Sequence, residues 1–246
     1  WIKQQIYKWV NKKVARKSSH IITISNFVKN DLIKFTGVSP DKITVTLESA
    51  DELPKGNDPV KSLIGKKFIM YIGRPTPHKN LRRLIDAFAL LQKKNPELTL
   101  ALAGKKDSNY ARHEAYVNEH GIKNVVFTDF ISDEQLRWMY ENTAVYCFPS
   151  LSEGFGLPGL EAMLHGAPVA SSTATCLPET HGDAAHYFDP YDAEDIARAI
   201  DDVLTDEKLR RQLIKKGKHH VKTFSWQRMA EQTLAVYEQY GNQNKN

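Results

Sequence analysis

Two stretches of this 246-residue chain combine residue types able to grip a phosphate or a sugar. The first is Tyr71-Ile72-Gly73-Arg74-Pro75-Thr76-Pro77-His78-Lys79-Asn80. It follows an apolar run, 68–72, and precedes an amphipathic one, so it reads as a strand-to-helix turn. Gly73 lets the chain turn with no side chain in the way. Arg74 offers a planar fork and Lys79 a point charge, and together they suit a diphosphate. Two prolines stiffen the loop between them. The competing reading makes both residues solvated surface cations; their place at a strand end favours a ligand.

The second stretch is Ser152-Glu153-Gly154-Phe155-Gly156-Leu157-Pro158-Gly159-Leu160-Glu161. It follows the apolar run 145–148, and Pro158 near the first helical position opens a helix. A glycine-rich turn at a helix N-terminus leaves backbone N–H groups free, which makes an anion site. Gly154, Gly156 and Gly159 also spell G-x-G-x-x-G. As a dinucleotide fingerprint this is weak, because that motif belongs after the first strand of its unit. Glu161 stands in a helix of otherwise small and apolar residues. A carboxylate there must face a cavity or find a hydrogen-bond partner. A pair of sugar hydroxyls would serve, and so would a purely structural link. Glu153 on the loop is either a ligand contact or a plain exposed carboxylate.

Other residues weigh less. Phe130 and Ile131 close a strand where a base could rest, and core packing explains them equally well. Glu179 after Leu177-Pro178 suits a cap better than chemistry. Cys147, inside Val145–Phe148, reads as a buried structural thiol. The nine histidines show no metal-ligand spacing, and no metal or cofactor is expected. With two cysteines there is no disulfide framework, and a reducing cytoplasm fits.

Stepwise alternation positions these loops. From Lys67 onward short apolar strands alternate with amphipathic helices, which means a parallel sheet covered on both faces. Ligands then bind outside the carboxyl ends of the strands. Before it, Ser25 reads as an N-cap for a helix closed by Gly37, between strands over 20–24 and 42–47. Residues 51–65, rich in Pro, Gly, Asn and Asp, read as a loop or linker. The tail after Gly241 reads as disordered. Apolar residues make up 41% and charged ones 26%, as in soluble globular proteins. No run long enough to span a membrane occurs, and no signal peptide is visible. A chain that begins on Trp1 is expected to be a fragment or a processed product.

The net charge of +5 suits anionic small ligands or an acidic membrane surface, and is too dispersed to imply nucleic acid. Residues 1–17 concentrate it. Ile2, Ile6, Trp9, Val10 and Val14 share one helical face, and Lys3, Lys8, Lys12, Lys13, Arg16 and Lys17 cover most of the rest. This is either an interfacial membrane helix or a linker helix packed on a neighbouring domain. The narrow apolar face favours the second.

Taken in order, these motifs resemble glycosyltransferase family 4 of the GT-B glycosyltransferases. Glu153 and Glu161 match that family's two glutamates separated by seven residues, and Gly73-Arg74 with His78-Lys79-Asn80 matches its phosphate-binding loop. Leu177-Pro178-Glu179, Phe188-Asp189-Pro190 and Phe224-Ser225-Trp226 match further motifs. The resemblance covers about 20–240. It implies a Rossmann-like α/β half of a GT-B fold over 67–225. It also implies the end of an amino-terminal domain over 1–50, a linker over 51–66, and a carboxyl-terminal helix and tail over 226–246.

The resemblance further implies a retaining enzyme that moves a hexose from a nucleotide sugar, such as GDP-mannose or UDP-glucose, to a glycan or lipid-linked acceptor. Arg74 and Lys79 would bind the diphosphate beside Gly73. Glu161 would hold the ribose and Glu153 the donor sugar. Backbone N–H groups of Gly154, Phe155, Gly156 and Leu157 would lie near sugar and phosphate, and Phe130 by the base. Catalysis would rest on Glu153, Arg74 and Lys79. The cysteine usage suits the cytoplasm, and the basic helix 1–17, if interfacial, would add peripheral contact with the inner face of the cell membrane. Two departures stand out. Glu48-Ser49-Ala50 replaces the family's usual Asn-Gly, and most of the acceptor domain is missing. A non-catalytic nucleotide-sugar-binding or membrane-recruitment module is the alternative, and a dinucleotide-dependent oxidoreductase a remote one.

Overall fold

The computed structural model describes residues 1–56 and 58–241; the tail expected after Gly241 lies outside them. The contacts divide the chain between Ser49 and Ala50 and again between Thr223 and Phe224. The smaller unit therefore joins residues 1–49 to the carboxyl-terminal segment. It begins with α1 (Ile2–Lys17), β1 (Ile21–Thr23), α2 (Asn26–Thr36) and β2 (Ile43–Val45). β1 and β2 pair in parallel, Ile21 opposite Ile43. Ser25 Oγ accepts from the Val28 N–H and starts α2; Gly37, at φ 72°, ends it in the left-handed region that glycine tolerates best.

The larger unit, Ala50–Thr223, contains β3 (Phe68–Ile72), α3 (Leu81–Lys94), β4 (Thr99–Ala103), α4 (Ser108–Glu119), β5 (Val125–Asp129), α5 (Asp133–Asn142), β6 (Val145–Phe148), α6 (Leu157–Leu164), β7 (Val169–Ser172), α7 (Leu177–His181), β8 (Ala185–Phe188), α8 (Ala193–Thr205) and α9 (Glu207–His220). The smaller unit closes with α10 (Trp226–Gly241). Residues 51–66, expected as a linker, group with the larger unit. Val60 and Leu63 are buried there, around one short turn of 3-10 helix at Lys61–Leu63.

The six strands form one parallel sheet in the order β5-β4-β3-β6-β7-β8. β3, β4, β6 and β7 are buried almost throughout, as a sheet covered on both faces requires. On one face Ile69, Tyr71, Val145 and Cys147 pack with the apolar stripes of α3 (Leu81, Leu84, Phe88) and α8 (Ile196, Ile200, Val203). On the other, Phe68 stacks on Trp138 and Tyr146 meets Tyr140 edge-on, both partners lying on α5. Cys147 is buried, as expected of a structural thiol. The order of connection reverses between β3 and β6, so a crevice opens where their carboxyl ends diverge, and the loops after both strands reach into it.

Candidate functional site

Three loops meet at that reversal, and specific bonds tie them. Asn80 is buried and held at φ 60°, in the left-handed region that asparagine accepts more readily than most residues. Its Nδ2 donates to the carbonyls of Pro149 (3.0 Å) and Pro190 (2.7 Å), which join the ends of β3, β6 and β8. The Leu151 N–H donates to the His78 carbonyl at 2.7 Å and brings the first two loops edge to edge. Under the first loop, the Tyr110 hydroxyl sits 3.0 Å from the Gly73 carbonyl and 2.9 Å from that of Ala103. Gly73 is at φ 147°, and a Cβ there would meet the Tyr71 hydroxyl at 2.7 Å. Only glycine fits this turn.

This framework brings Lys79 and Glu153 together. Lys79 Nζ lies 2.6 Å from Glu153 Oε1, and their side chains are 22% and 13% exposed. At that burial the pair is mutually compensated rather than solvated. Glu153 is thus not the plain exposed carboxylate that local sequence allowed. Arg74 leaves the carboxyl end of β3 just after Gly73 but stays 80% exposed, loosely paired with Asp107 at 3.7 Å. Asp107 is held below the usual carboxylate range, first by the Tyr110 backbone N–H.

The turn after Glu153 delivers the chain into α6. Gly156, at φ 101°, is the N-cap, and no side chain caps the helix. The helix N-terminus therefore lacks the side-chain oxygen that usually satisfies its first N–H groups. Phe155 is buried, so its side chain packs inward. Glu161, one and a half turns further on, is partly buried, and its Oε2 accepts from the Tyr140 hydroxyl at 3.1 Å. Desolvation pushes its pKa up, against the lowering effect of that hydrogen bond. Oε1 has no hydrogen bond among the described residues. The structural link and a free acceptor thus coexist on one carboxylate.

Phe130 does not join this cluster. It follows β5, which β4 separates from β3 by two strand spacings, about 10 Å in all. The residue is 78% exposed. Glu179, in the first turn of α7, is also exposed.

Sequence reasoning assigned no role to several residues here. His181 is fully buried under the α6 turn, with Nε2 3.2 Å from the Gly156 carbonyl and Nδ1 3.2 Å from Ser171 Oγ. Burial lowers its pKa to about 4, so the ring is neutral near pH 7. The buried hydroxyls of Tyr71, Tyr146 and Ser150 have no hydrogen-bond partner among the described residues. Each costs about 1–3 kcal/mol unless something else satisfies it, a penalty that concentrates around the ends of β3 and β6. Among the described residues no group of three or more His, Cys, Asp or Glu could hold a metal ion.

A doubly wound parallel sheet with a part-buried Lys–Glu pair and an uncapped helix N-terminus at its reversal point is a Rossmann-like domain. The chain belongs to the family described as glycosyl transferases group 1, which residues 55–220 match. It is 32% identical over 248 residues to the MMP alpha-(1->4)-mannosyltransferase of Mycolicibacterium hassiacum, covering 97% of this chain and 59% of the relative. To the O-antigen chain mannosyltransferase B of Escherichia coli it is 32% identical over 230 residues, covering 88% and 60%. Among solved structures it is similar to sucrose-phosphate synthase from Thermosynechococcus elongatus, with a TM-score of 0.83, 25% identity, and coverage of 96% and 61%. It also shares the fold of Anabaena HepE, solved in complex with UDP and glucose, with a TM-score of 0.76, 20% identity, and coverage of 92% and 64%. The chain spans about six tenths of the length of these proteins. The glycines at 154, 156 and 159 follow β6 and not the first strand of the sheet, which leaves the dinucleotide reading without its structural context.

Proposed function

We propose that this chain is the donor-binding part of a retaining glycosyltransferase that takes a hexose from a nucleotide sugar, GDP-mannose or UDP-glucose, and passes it to a glycan or lipid-linked acceptor without a metal ion. The observation that carries this reading is the Lys79–Glu153 pair at the mouth of the sheet reversal, beside the N-terminus of α6. Family membership and the mannosyltransferase relatives support it.

The chemistry follows from charge. When the glycosidic bond of the donor breaks, negative charge develops on the departing diphosphate. Arg74, Lys79 and the N–H groups of Phe155, Gly156 and Leu157 are the groups that would meet it. A charged hydrogen bond of this kind contributes about 1.5–3 kcal/mol. Lys79 is compensated by Glu153, so an arriving diphosphate would compete for the ammonium. Its displacement would turn the Glu153 carboxylate toward the sugar. Glu161 would take the ribose hydroxyls through Oε1 while Tyr140 fixes Oε2. Phe130 would lie near the base.

Calorimetric titration with GDP-mannose and with UDP-glucose tests the reading. One of the two should bind, and more weakly in Arg74→Ala. A chain that binds neither at millimolar concentration overturns it.

A second reading concerns α1. Trp1, Ile2, Ile6, Tyr7 and Trp9 are more than half exposed, next to a row of lysines. Large apolar side chains with basic neighbours suit an anionic membrane surface, such as a cytoplasmic face that carries a lipid-linked acceptor. No helix among the described residues is long and apolar enough to cross a membrane. Co-sedimentation with vesicles containing anionic lipid, with and without residues 1–17, tests this contact; equal binding by both forms removes it.

A further inference from the structure

We propose that Thr175 is a positioning residue that holds Glu153 in register for the donor sugar. It lies in the loop between β7 and α7 and belongs to none of the motifs described above. Thr175 adopts φ 55°. A β-branched residue in the left-handed region is a genuine outlier, because its side chain crowds the following carbonyl. Strain of this kind persists only where the surroundings enforce it, and it collects at ligand sites.

What the strained conformation achieves is visible at once. Thr175 Oγ1 accepts the backbone N–H of Glu153 at 3.0 Å. The next residue, Cys176, is buried and donates its thiol to the Glu153 carbonyl at 3.3 Å. Burial pushes that thiol up to about 12, so it remains protonated and able to donate. Both backbone polar groups of Glu153 are therefore held by two consecutive residues of another loop. A glycine at 175 would take the same angles without strain but would have no hydroxyl. The hydroxyl is the one feature that justifies threonine here.

The consequence is directional. Glu153 sits on a glycine-flanked turn, Gly154 and Gly156 following it, which by itself would leave the carboxylate free to wander. The 175–176 clamp fixes its backbone, and Lys79 fixes its side chain. Thr175 thus acts through Glu153 and touches no substrate. The inference rests on Glu153 being the contact to the donor sugar.

The test compares Thr175→Ser, Thr175→Val and Thr175→Gly in the full chain with two readouts. The first needs no donor: hydrogen exchange of the Glu153 amide, followed by NMR. It should quicken in the Val and Gly variants and stay at the parental rate in Ser. The second compares binding of UDP-glucose with UDP, and of GDP-mannose with GDP. Thr175→Gly should weaken the sugar nucleotide about three- to tenfold more than the bare nucleotide, since the bare nucleotide lacks the hexose that Glu153 contacts. Its melting point should stay close to the parent's, because the strain relieved offsets the hydrogen bond lost. Parental exchange and parental binding in Thr175→Gly overturn the proposal, as does an equal loss for nucleotide and sugar nucleotide, which would mark a general structural role. If the parent binds neither sugar nucleotide, the reading of the site falls while the exchange data still decide whether the clamp exists.

Discussion

Lys79 Nζ stands 2.6 Å from Glu153 Oε1 although 74 residues separate them in sequence. The bond closes the two loops that flank the sheet reversal, and it is mostly shielded from water. Removing one partner leaves the other without its compensating charge, whereas removing both leaves no stranded charge. Lys79→Ala and Glu153→Ala should each lower the unfolding free energy by about 1–3 kcal/mol, and the double variant by less than their sum. Chemical denaturation of the four proteins measures the coupling. Strict additivity would mean that the two charges do not act as a pair.

Arg74 separates binding from folding. Its side chain is 80% exposed and its ion pair with Asp107 is long. Arg74→Ala should leave stability within about 0.5 kcal/mol of the parent. The same change should weaken nucleotide-sugar binding by about 1–3 kcal/mol. Calorimetry and a denaturation curve on the same preparation check both halves.

Glu161 divides its carboxylate between Tyr140 and an open side. Glu161→Ala removes both and should cost about 1–3 kcal/mol in nucleotide binding. Tyr140→Phe removes only the internal bond and should cost less in binding, because Oε1 keeps its acceptor. A Tyr140→Phe loss as large as that of Glu161→Ala would show that the carboxylate serves structure alone.

Gly159 packs directly against the ring of the buried His181, leaving no room for a Cβ. The ring cannot retreat, because Ser171 holds one nitrogen and the Gly156 carbonyl the other. Gly159→Ala should destabilise by about 1–3 kcal/mol through overpacking, read as a lower midpoint of thermal or chemical unfolding.

His181 also makes stability depend on pH. Its pKa falls from 6.5 to about 4 on folding, chiefly by burial. The unfolded chain therefore binds the proton first. Stability is at its full value above pH 6.5 and is lost as the pH falls toward 4, by about 3 kcal/mol for this residue. His113 and His165 are lowered in the same direction and add to the slope. His181→Gln should flatten the dependence between pH 6.5 and 4. An unchanged slope in that variant would mean that the ring does not titrate with folding.

The sequence by itself determined the elements and their order. Strand and helix periodicity, the cap at Ser25, the stop at Gly37 and the proline that opens α6 are local signals, and local geometry obeyed them. It also showed which loops carry charge, since in a parallel sheet every such loop emerges at the same edge. Only the tertiary structure decided which groups meet. Lys79 found Glu153 because β3 and β6 are neighbours in the sheet although β4 and β5 lie between them in the chain, and Thr175 found the Glu153 amide because β6 and β7 lie side by side. Phe130 was left apart from them for the same reason, with β4 lying between its strand and β3. Periodicity records which face a residue turns inward; it carries no record of the strand order that fixes the distance between loops.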